Sequence, residues 1–385
     1  MRAQPTLFDD LRMSFDAALD LSLASLREYG QHYRHWCIAY SGGKDSSATA
    51  AFVVWAIRTG KVPAPETLTI LYADTRMELP PLQSTAMLFM DALRTAGHEA
   101  RVVLPPLDDR FYVYIFGRGV PPPKNRFRWC TPQLKVEPMQ HALAARRAEV
   151  GEKFLMLTGV RMGESAARDQ RIALSCSKDS GECGQGWFQT SPGEAVSDTL
   201  APLLHWRLCF VWDWLFLGEH DFDMLADIAL VYGDEEARTG CVGCNLASKD
   251  TALENLVRTA AWAHLSPLLE LKPLYQELQR PKWRKRKHEA GRRKDGAYQK
   301  NAQRMGPLTM EARAYGLERV LDIQRRARVD LINADEASRI RQLWTLNTWP
   351  DGWTGDEINA DVMIDSIRTV GDHELVVQPL LIEAR

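Results

Sequence analysis

The stretch Ser41-Gly42-Gly43-Lys44-Asp45-Ser46 constrains this chain most. It follows an apolar run, WCIAY, suited to a buried strand. It opens a second apolar run, Ser46–Thr59, that reads as a helix ended by Gly60. Two glycines at such a turn let the backbone approach a ligand closely. The helix start offers N–H groups and the positive end of its dipole. Ser41 and Ser46 add hydroxyls, and Lys44 adds a mobile positive charge on what reads as an exposed loop. The spacing is not that of a Walker A loop. An ordinary capped turn is the plain alternative, and an isolated Ser-Gly-Gly would deserve it. Six such residues between strand and helix point instead to phosphate.

The surrounding pattern agrees. Further strands are expected at Thr67–Ala73, Ala100–Leu104, Lys153–Thr158 and Thr199–Leu204, with a helix over Met77–Ala96. This alternation predicts an α/β fold built on a parallel twisted sheet, whose ligands bind at the carboxyl ends of the strands. From Leu208 onward the pattern is mainly helical, so a C-terminal helical domain is expected. The division reads as a helical leader (1–36), a nucleotide domain (37–206) and a helical domain with CxxC and basic segment (207–385). No apolar run approaches the roughly 20 residues of a membrane helix. The start, MRAQPTLFDDLRMSF, lacks the apolar core of a secretory signal, so a cytoplasmic protein with no membrane partner is expected.

With these residues in place, the chain resembles the PP-loop ATP pyrophosphatases, the adenine nucleotide alpha-hydrolase-like family that includes the PAPS reductases. Leu71-Tyr72-Ala73-Asp74-Thr75, followed by Glu78, is similar to the family's second-strand motif. Gly159-Val160-Arg161-Met162-Gly163-Glu164-Ser165, followed by Arg168, is similar to its GxRxxES motif. The resemblance implies ATP and Mg²⁺ as cofactors. It implies a nucleotide site of Ser41, Gly42, Gly43, Lys44, Asp45, Ser46, Asp74, Thr75, Gly159, Arg161 and Arg168. Lys44, Asp45, Arg161 and Glu164 are the candidate catalytic residues. Arginine suits bidentate phosphate contacts, and Glu164 could orient an arginine or help hold Mg²⁺. A solvated helix start with a Glu164–Arg168 pair is the simpler reading of 161–168. The apolar segments Pro202–Trp206 and Val211–Leu215 also match the family and read as core.

Seven cysteines are present, an odd number in a long chain, which favours metal or redox chemistry over a secreted disulfide framework. Cys241-Val242-Gly243-Cys244 has the spacing for two thiolates on one metal or cluster. The segment RWCTPQLK resembles the one in which the family's adenylylsulfate reductases place cluster cysteines. That adds Cys130 and implies an iron–sulfur cluster of the 4Fe–4S type. Zinc or a redox dithiol remains an alternative. The fourth ligand is expected to be Cys183 or Cys176, both in a Gly-rich polar stretch. Cys37 and Cys209 read as buried.

Within the family the chain is similar to the DndC group of DNA phosphorothioation sulfurtransferases and its relatives in defence islands and phage. GCVGC and GPLTMEARAYGLERVLDIQ carry that likeness. It implies adenylation of a DNA backbone phosphate, with pyrophosphate release, and sulfur from a cysteine desulfurase or other donor. Other phosphorothioation or defence proteins are further possible partners. Residues 280–304 hold eleven Lys/Arg against two Asp/Glu in a chain of net charge −2. Arg284, Lys285, Arg286, Lys287, Arg292 and Arg293 are therefore candidate nucleic-acid contacts. A solvated basic helix or tether is the bland alternative. Two other functions stay open: a PAPS or adenylylsulfate reductase, and a nucleic-acid-binding component that uses ATP only structurally.

Overall fold

The computed structural model describes residues 13–125, 127–176, 181–233, 240–246, 250–287 and 305–362, with the backbone of 368–370 and 373–375. α1 (Phe15–Gly30) packs ahead of β1 (His35–Tyr40), which leads through the Ser-Gly-Gly turn into α2 (Lys44–Arg58). β2 (Thr67–Ala73), α3 (Pro80–Thr95), β3 (Glu99–Val103), α4 (Glu137–Val150) and β4 (Phe154–Leu157) follow. α5 (Ala166–Cys176) then leads to β5 (Gly181–Glu182), β6 (Trp187–Gln189) and β7 (Ser197–Ala201).

These strands form a sheet in the order β3-β2-β1-β4-β7-β6-β5. The first five run parallel, and β6 and β5 add antiparallel at the edge. β1 and β2 are apolar on both faces, as strands covered by helices must be. From β1 the chain moves outward to β2 and β3, then returns to β4 on the other side. The gap between the carboxyl ends of β1 and β4 is therefore the switch point of the sheet, where open α/β sheets hold their ligands.

The expected strands lie within three residues of these positions. The β5–β6 hairpin was not anticipated, because its strands are too short to show alternation. Cys176, at the end of α5, is disulfide-bonded to Cys183 beyond β5.

The second half continues with α6 (Leu208–Leu217), α7 (Asp227–Tyr232), α8 (Thr251–Leu256), α9 (Leu271–Glu277), α10 (Met310–Ala327) and α11 (Ala334–Thr345). Thr309 caps α10 and an Asn333–Glu336 capping box starts α11. One apolar cluster runs without a break from Ala18 of α1 through Phe52, Ile70 and Trp206 to Leu271, Val320 and Ile340. Trp55 and Trp214 meet edge to face at 5.0 Å inside it, a geometry worth roughly 1 kcal/mol beyond area burial. The apolar side chains of Pro202–Trp206 and of Val211–Leu215 are core, as expected. Cys209 is not: the α6 turn sets it on the exposed face with Asp213 and Phe216.

The basic segment corrects a second expectation. It begins as a strand, β8 (Arg284–Arg286), between β9 (Met305–Leu308) and β10 (Ile358–Asn359). Arg284 and Arg286 are 4% and 3% exposed. Arg284 donates from Nε to the Gly306 carbonyl at 2.6 Å, and Arg286 from Nη2 to the Val362 carbonyl at 3.1 Å. Lys285 donates to the Glu357 carbonyl, and Lys287 pairs with the Glu357 carboxylate at 2.8 Å. The two arginines are thus spent inside the protein and offer no surface for a phosphate backbone. Arg292 and Arg293 lie outside the described residues.

Candidate functional site

A cleft of about 660 Å³ opens at the switch point, a size usual for small-molecule sites. Its floor is the loop between β1 and α2. Gly42 sits at φ +73, where a side chain would be strained. Ser46 Oγ binds back to the loop, accepting from the Ser41 amide at 3.2 Å and lying 3.0 Å from both Ser41 Oγ and the Gly43 carbonyl. The loop is therefore pre-shaped by its own hydroxyls.

Lys44 is the first residue of α2 and is 8% exposed, so it is not on an exposed loop as expected. Its Nζ lies 3.6 Å from Asp45 Oδ2 and 4.7 Å from the centre of the Tyr232 ring. Burial holds its pKa below the ordinary lysine value, partly countered by Asp45.

The loop after β4 crosses directly over this turn. A Cβ on Gly159 would stand 2.8 Å from the carbonyl carbon and oxygen of Asp45, so only glycine fits there. Arg161, 7% exposed, donates from Nε to Asp45 Oδ1 at 2.5 Å. Glu164 pairs with Arg168 one helical turn on, and both line the cleft. The ion pair read as the simpler alternative is therefore present, on the cleft wall.

Asp74 and Thr75, each 6% exposed, follow β2. Asp74 accepts from the Arg76 amide at 2.8 Å and from Gln83 Nε2 at 3.1 Å. Thr75 Oγ1 donates to Glu78 Oε1 at 2.7 Å. Glu78 lines the cleft, and burial raises its pKa against the pull of Thr75. Neither Asp74 nor Thr75 is a lining residue; they brace the turn that presents Glu78. Arg76, at φ +58, is held by Glu336 at 3.2 Å and Asp330 at 2.9 Å, which ties this turn to α11 and to the connection that precedes it.

The cysteine corner adjoins the same cleft. The Val242 amide donates to the Met77 carbonyl at 2.7 Å, and Gly243, at φ +69, packs against Leu271 and Tyr275. This sets Cys241 on the cleft wall beside Lys135 and Glu78. Cys241 is exposed to the cleft at its surface, yet the density of protein packed around it pushes the thiol up to about 12, with Glu78, Cys244 and Cys130 adding to the shift. Cys130 is also raised, by burial first and by Cys244. These three thiols are soft donors within electrostatic reach of one another, which fits iron–sulfur or zinc chemistry. Even so, no three His, Cys, Asp or Glu side chains among the described residues form a metal-holding set as they stand. Cys183 and Cys176 are corrected as fourth ligands, because each is consumed by their mutual disulfide.

Asp45, Glu78 and Glu164 supply hard oxygens to the cleft, the donor type Mg²⁺ takes alongside phosphate. Sequence reasoning missed Tyr232, Leu208 and the cleft-facing role of Tyr72, which also line it. No spacing rule marks them, since each reads as an apolar position.

No helix among the described residues is long and apolar enough to cross a membrane. An uncharacterized protein of Methanocaldococcus jannaschii is 24% identical over 247 residues, covering 62% of this chain and 50% of that protein. The chain thus spans half the length of this relative. Among solved structures, a PAPS reductase from Candida auris in phosphate complex aligns at 14% identity, covering 57% of this chain and 94% of that one, with a TM-score of 0.34. A mutant FMN adenylyltransferase of Candida glabrata gives 14%, 60%, 62% and 0.38. A tRNA thiolase of Methanococcus maripaludis with its 4Fe–4S cluster gives 13%, 69%, 79% and 0.31. These scores are too low to carry an argument. The family model for the phosphoadenosine phosphosulfate reductase domain matches residues 35–245, more than half of the chain, from β1 past both CxxC cysteines. The chain belongs to the phosphoadenosine phosphosulfate reductase domain family.

Proposed function

We propose that the chain uses ATP to adenylate an acceptor oxygen, releasing pyrophosphate, so that sulfur can replace that oxygen. The acceptor is a backbone phosphate of DNA, as in phosphorothioation. The observation that carries this reading is the sharing of one cleft by the phosphate loop, Arg161 and Cys241. The loop residues and a thiol line the same cleft.

In this reading the acceptor oxygen attacks the α-phosphorus and pyrophosphate leaves. A hydrosulfide delivered by a desulfurase or other donor then displaces AMP, which carries the acceptor oxygen away. The α2 amides and Lys44 receive the phosphates. Asp45 anchors Arg161 through Nε, leaving terminal N–H groups to meet the charge that develops on them. Mg²⁺, entering with the triphosphate, would neutralise the phosphates. Cys130, Cys241 and Cys244 would hold a cluster, which when bound would supply a sulfur-handling centre. AMP and pyrophosphate release, measured with and without DNA, tests the proposal; release that DNA does not stimulate would remove DNA as acceptor.

A second reading, reduction of a sulfonucleotide, is favoured by one observation. Arg284 and Arg286 are buried, so half of the basic cluster at 284–287 gives no support to a DNA surface. Sulfite release from a sulfonucleotide in the presence of a thiol reductant would establish it.

A further inference from the structure

We propose that Tyr232 is a positioning residue of the phosphate loop. It holds two groups of Lys44 that an anion needs, and pyrophosphate or a nucleotide phosphate binds in exchange for its hydroxyl. The amide of Lys44 belongs to the first turn of α2, where helix N–H groups have no partner within the helix. It donates to Tyr232 Oη at 3.3 Å. The same hydroxyl lies 3.5 Å from where a Cβ on Gly43 would be, so it sits over the loop itself. The Lys44 ammonium rests above the ring, 4.7 Å from its centre. One side chain therefore engages both the backbone donor and the charge that make the loop a phosphate site.

Tyr232 is held there firmly. It is 4% exposed and meets Trp212 edge to face at 5.3 Å. It ends α7, where Gly233 at φ +64 turns the chain away.

A second, independent observation points to a ligand at the same place. Tyr72 is fully buried, and its hydroxyl has no hydrogen-bond partner among the described residues. It lies across the loop: a Cβ on Gly42 would be 3.6 Å from its ring and 3.9 Å from its Oη. The cleft thus contains one loop donor spent on a tyrosine and one tyrosine donor with no acceptor among the described residues. An incoming phosphate supplies acceptor oxygens for both, and the Tyr232 hydroxyl yields its place.

The inference rests on reading Ser41–Ser46 as a phosphate site, not on which acceptor is adenylated. The test is calorimetric titration of the full chain with pyrophosphate. Tyr232→Phe keeps the ring, its packing on Trp212 and its contact with the Lys44 ammonium. It removes only the competing hydroxyl, so pyrophosphate should bind about fivefold more tightly, the worth of one net hydrogen bond. Tyr72→Phe should bind it more weakly by a similar factor. A purely structural Tyr232 predicts unchanged or weaker binding in Tyr232→Phe, and that result overturns the proposal. Selective isotope labelling of wild-type protein gives a readout that needs no variant. The Lys44 amide and Tyr232 ring resonances should shift together on adding pyrophosphate; an unmoved Tyr232 ring also overturns it. Wild-type protein that binds no pyrophosphate overturns both this inference and the phosphate-site reading. Binding without DNA-stimulated AMP release leaves this one standing and removes only the DNA acceptor.

Discussion

Arg161 Nε and Asp45 Oδ1 lie 2.5 Å apart, joining the loop after β4 to the first turn of α2 across the switch point of the sheet. Both groups are largely shielded from water, so the pair is weakly screened and its geometry is fixed before any nucleotide arrives. Arg161→Ala should lower ATP–pyrophosphate exchange by about 100-fold, the usual loss when one preorganised donor is removed. Arg161→Lys should not restore it, because an ammonium cannot serve Asp45 and a phosphate with a planar fork. Exchange within threefold of wild type in either variant would contradict the role.

Gly159 provides a steric test of the same crossing. A methyl group there meets the backbone of Asp45 at 2.8 Å and the Ser46 amide at 2.9 Å, and backbone cannot swing aside. Gly159→Ala should cost about 2 kcal/mol in denaturant unfolding and weaken nucleotide binding together. Full stability would show that the loop can shift.

Lys44 links binding to pH. Its pKa is lowered by burial from the ordinary 10.5, so the folded protein loses this proton before the unfolded chain does. The lysine's own contribution to stability then rises with pH across the interval between the two values, because the unfolded state binds more protons there. Pyrophosphate affinity has the opposite slope. It should fall as pH rises through the depressed value, below 10.5, as the ammonium is lost. Lys44→Ala should abolish pyrophosphate release and remove that pH dependence. A retained slope would place the titrating group elsewhere.

The thiols predict a clear division. Anaerobically purified protein should carry iron and acid-labile sulfide, and Cys130→Ser, Cys241→Ser or Cys244→Ser should each lose them. The double variant Cys176→Ser/Cys183→Ser should keep them, because that pair is bonded to itself. Zinc in place of iron would make the corner a structural metal site. Loading should also be favoured at higher pH, since the raised thiols must release protons to bind metal.

Arg284→Ala and Arg286→Ala should each cost about 2 to 3 kcal/mol in unfolding, because each removes a buried side chain together with the hydrogen bonds it donates. They are therefore unsuitable probes of DNA binding. A salt titration of DNA affinity should use Arg292→Ala/Arg293→Ala instead. If these residues touch phosphates, the log–log slope should flatten by up to about 0.9 per lost contact. Equal slopes for wild type and double variant would remove this segment as a contact.

Where periodicity carries physical meaning, the sequence was legible. β1, β2 and β4 are apolar runs flanked by turn signals, and their burial on both faces is what such runs require. The turn between β1 and α2 was legible as a candidate site because two glycines, a lysine and a helix start have few other uses together, and the turn does line the cleft. Burial of charge was not legible. Arg284 and Arg286 alternate along a strand like any inward-facing pair, yet arginine at those positions reads as surface until the carbonyls of Gly306 and Val362 are seen beside them. Cys209 shows the converse, since an apolar neighbourhood in sequence does not say which side of α6 faces out. Tyr232 was hidden for a third reason: it reaches Lys44 across 188 residues, and no local pattern encodes such a meeting.

That distance also has a consequence during synthesis. Met77 takes its hydrogen bond from Val242, and Lys44 takes its ring from Tyr232. A ribosome that has released only the first two hundred residues has delivered the phosphate loop but neither the tyrosine over it nor the CxxC cysteines at its side. Any ligand entering at that moment meets an unfinished wall. The cleft is therefore not assembled front to back: it closes only when the later helices arrive, and a translation pause before Tyr232 would leave the loop and its apolar surroundings open to aggregation or to a chaperone.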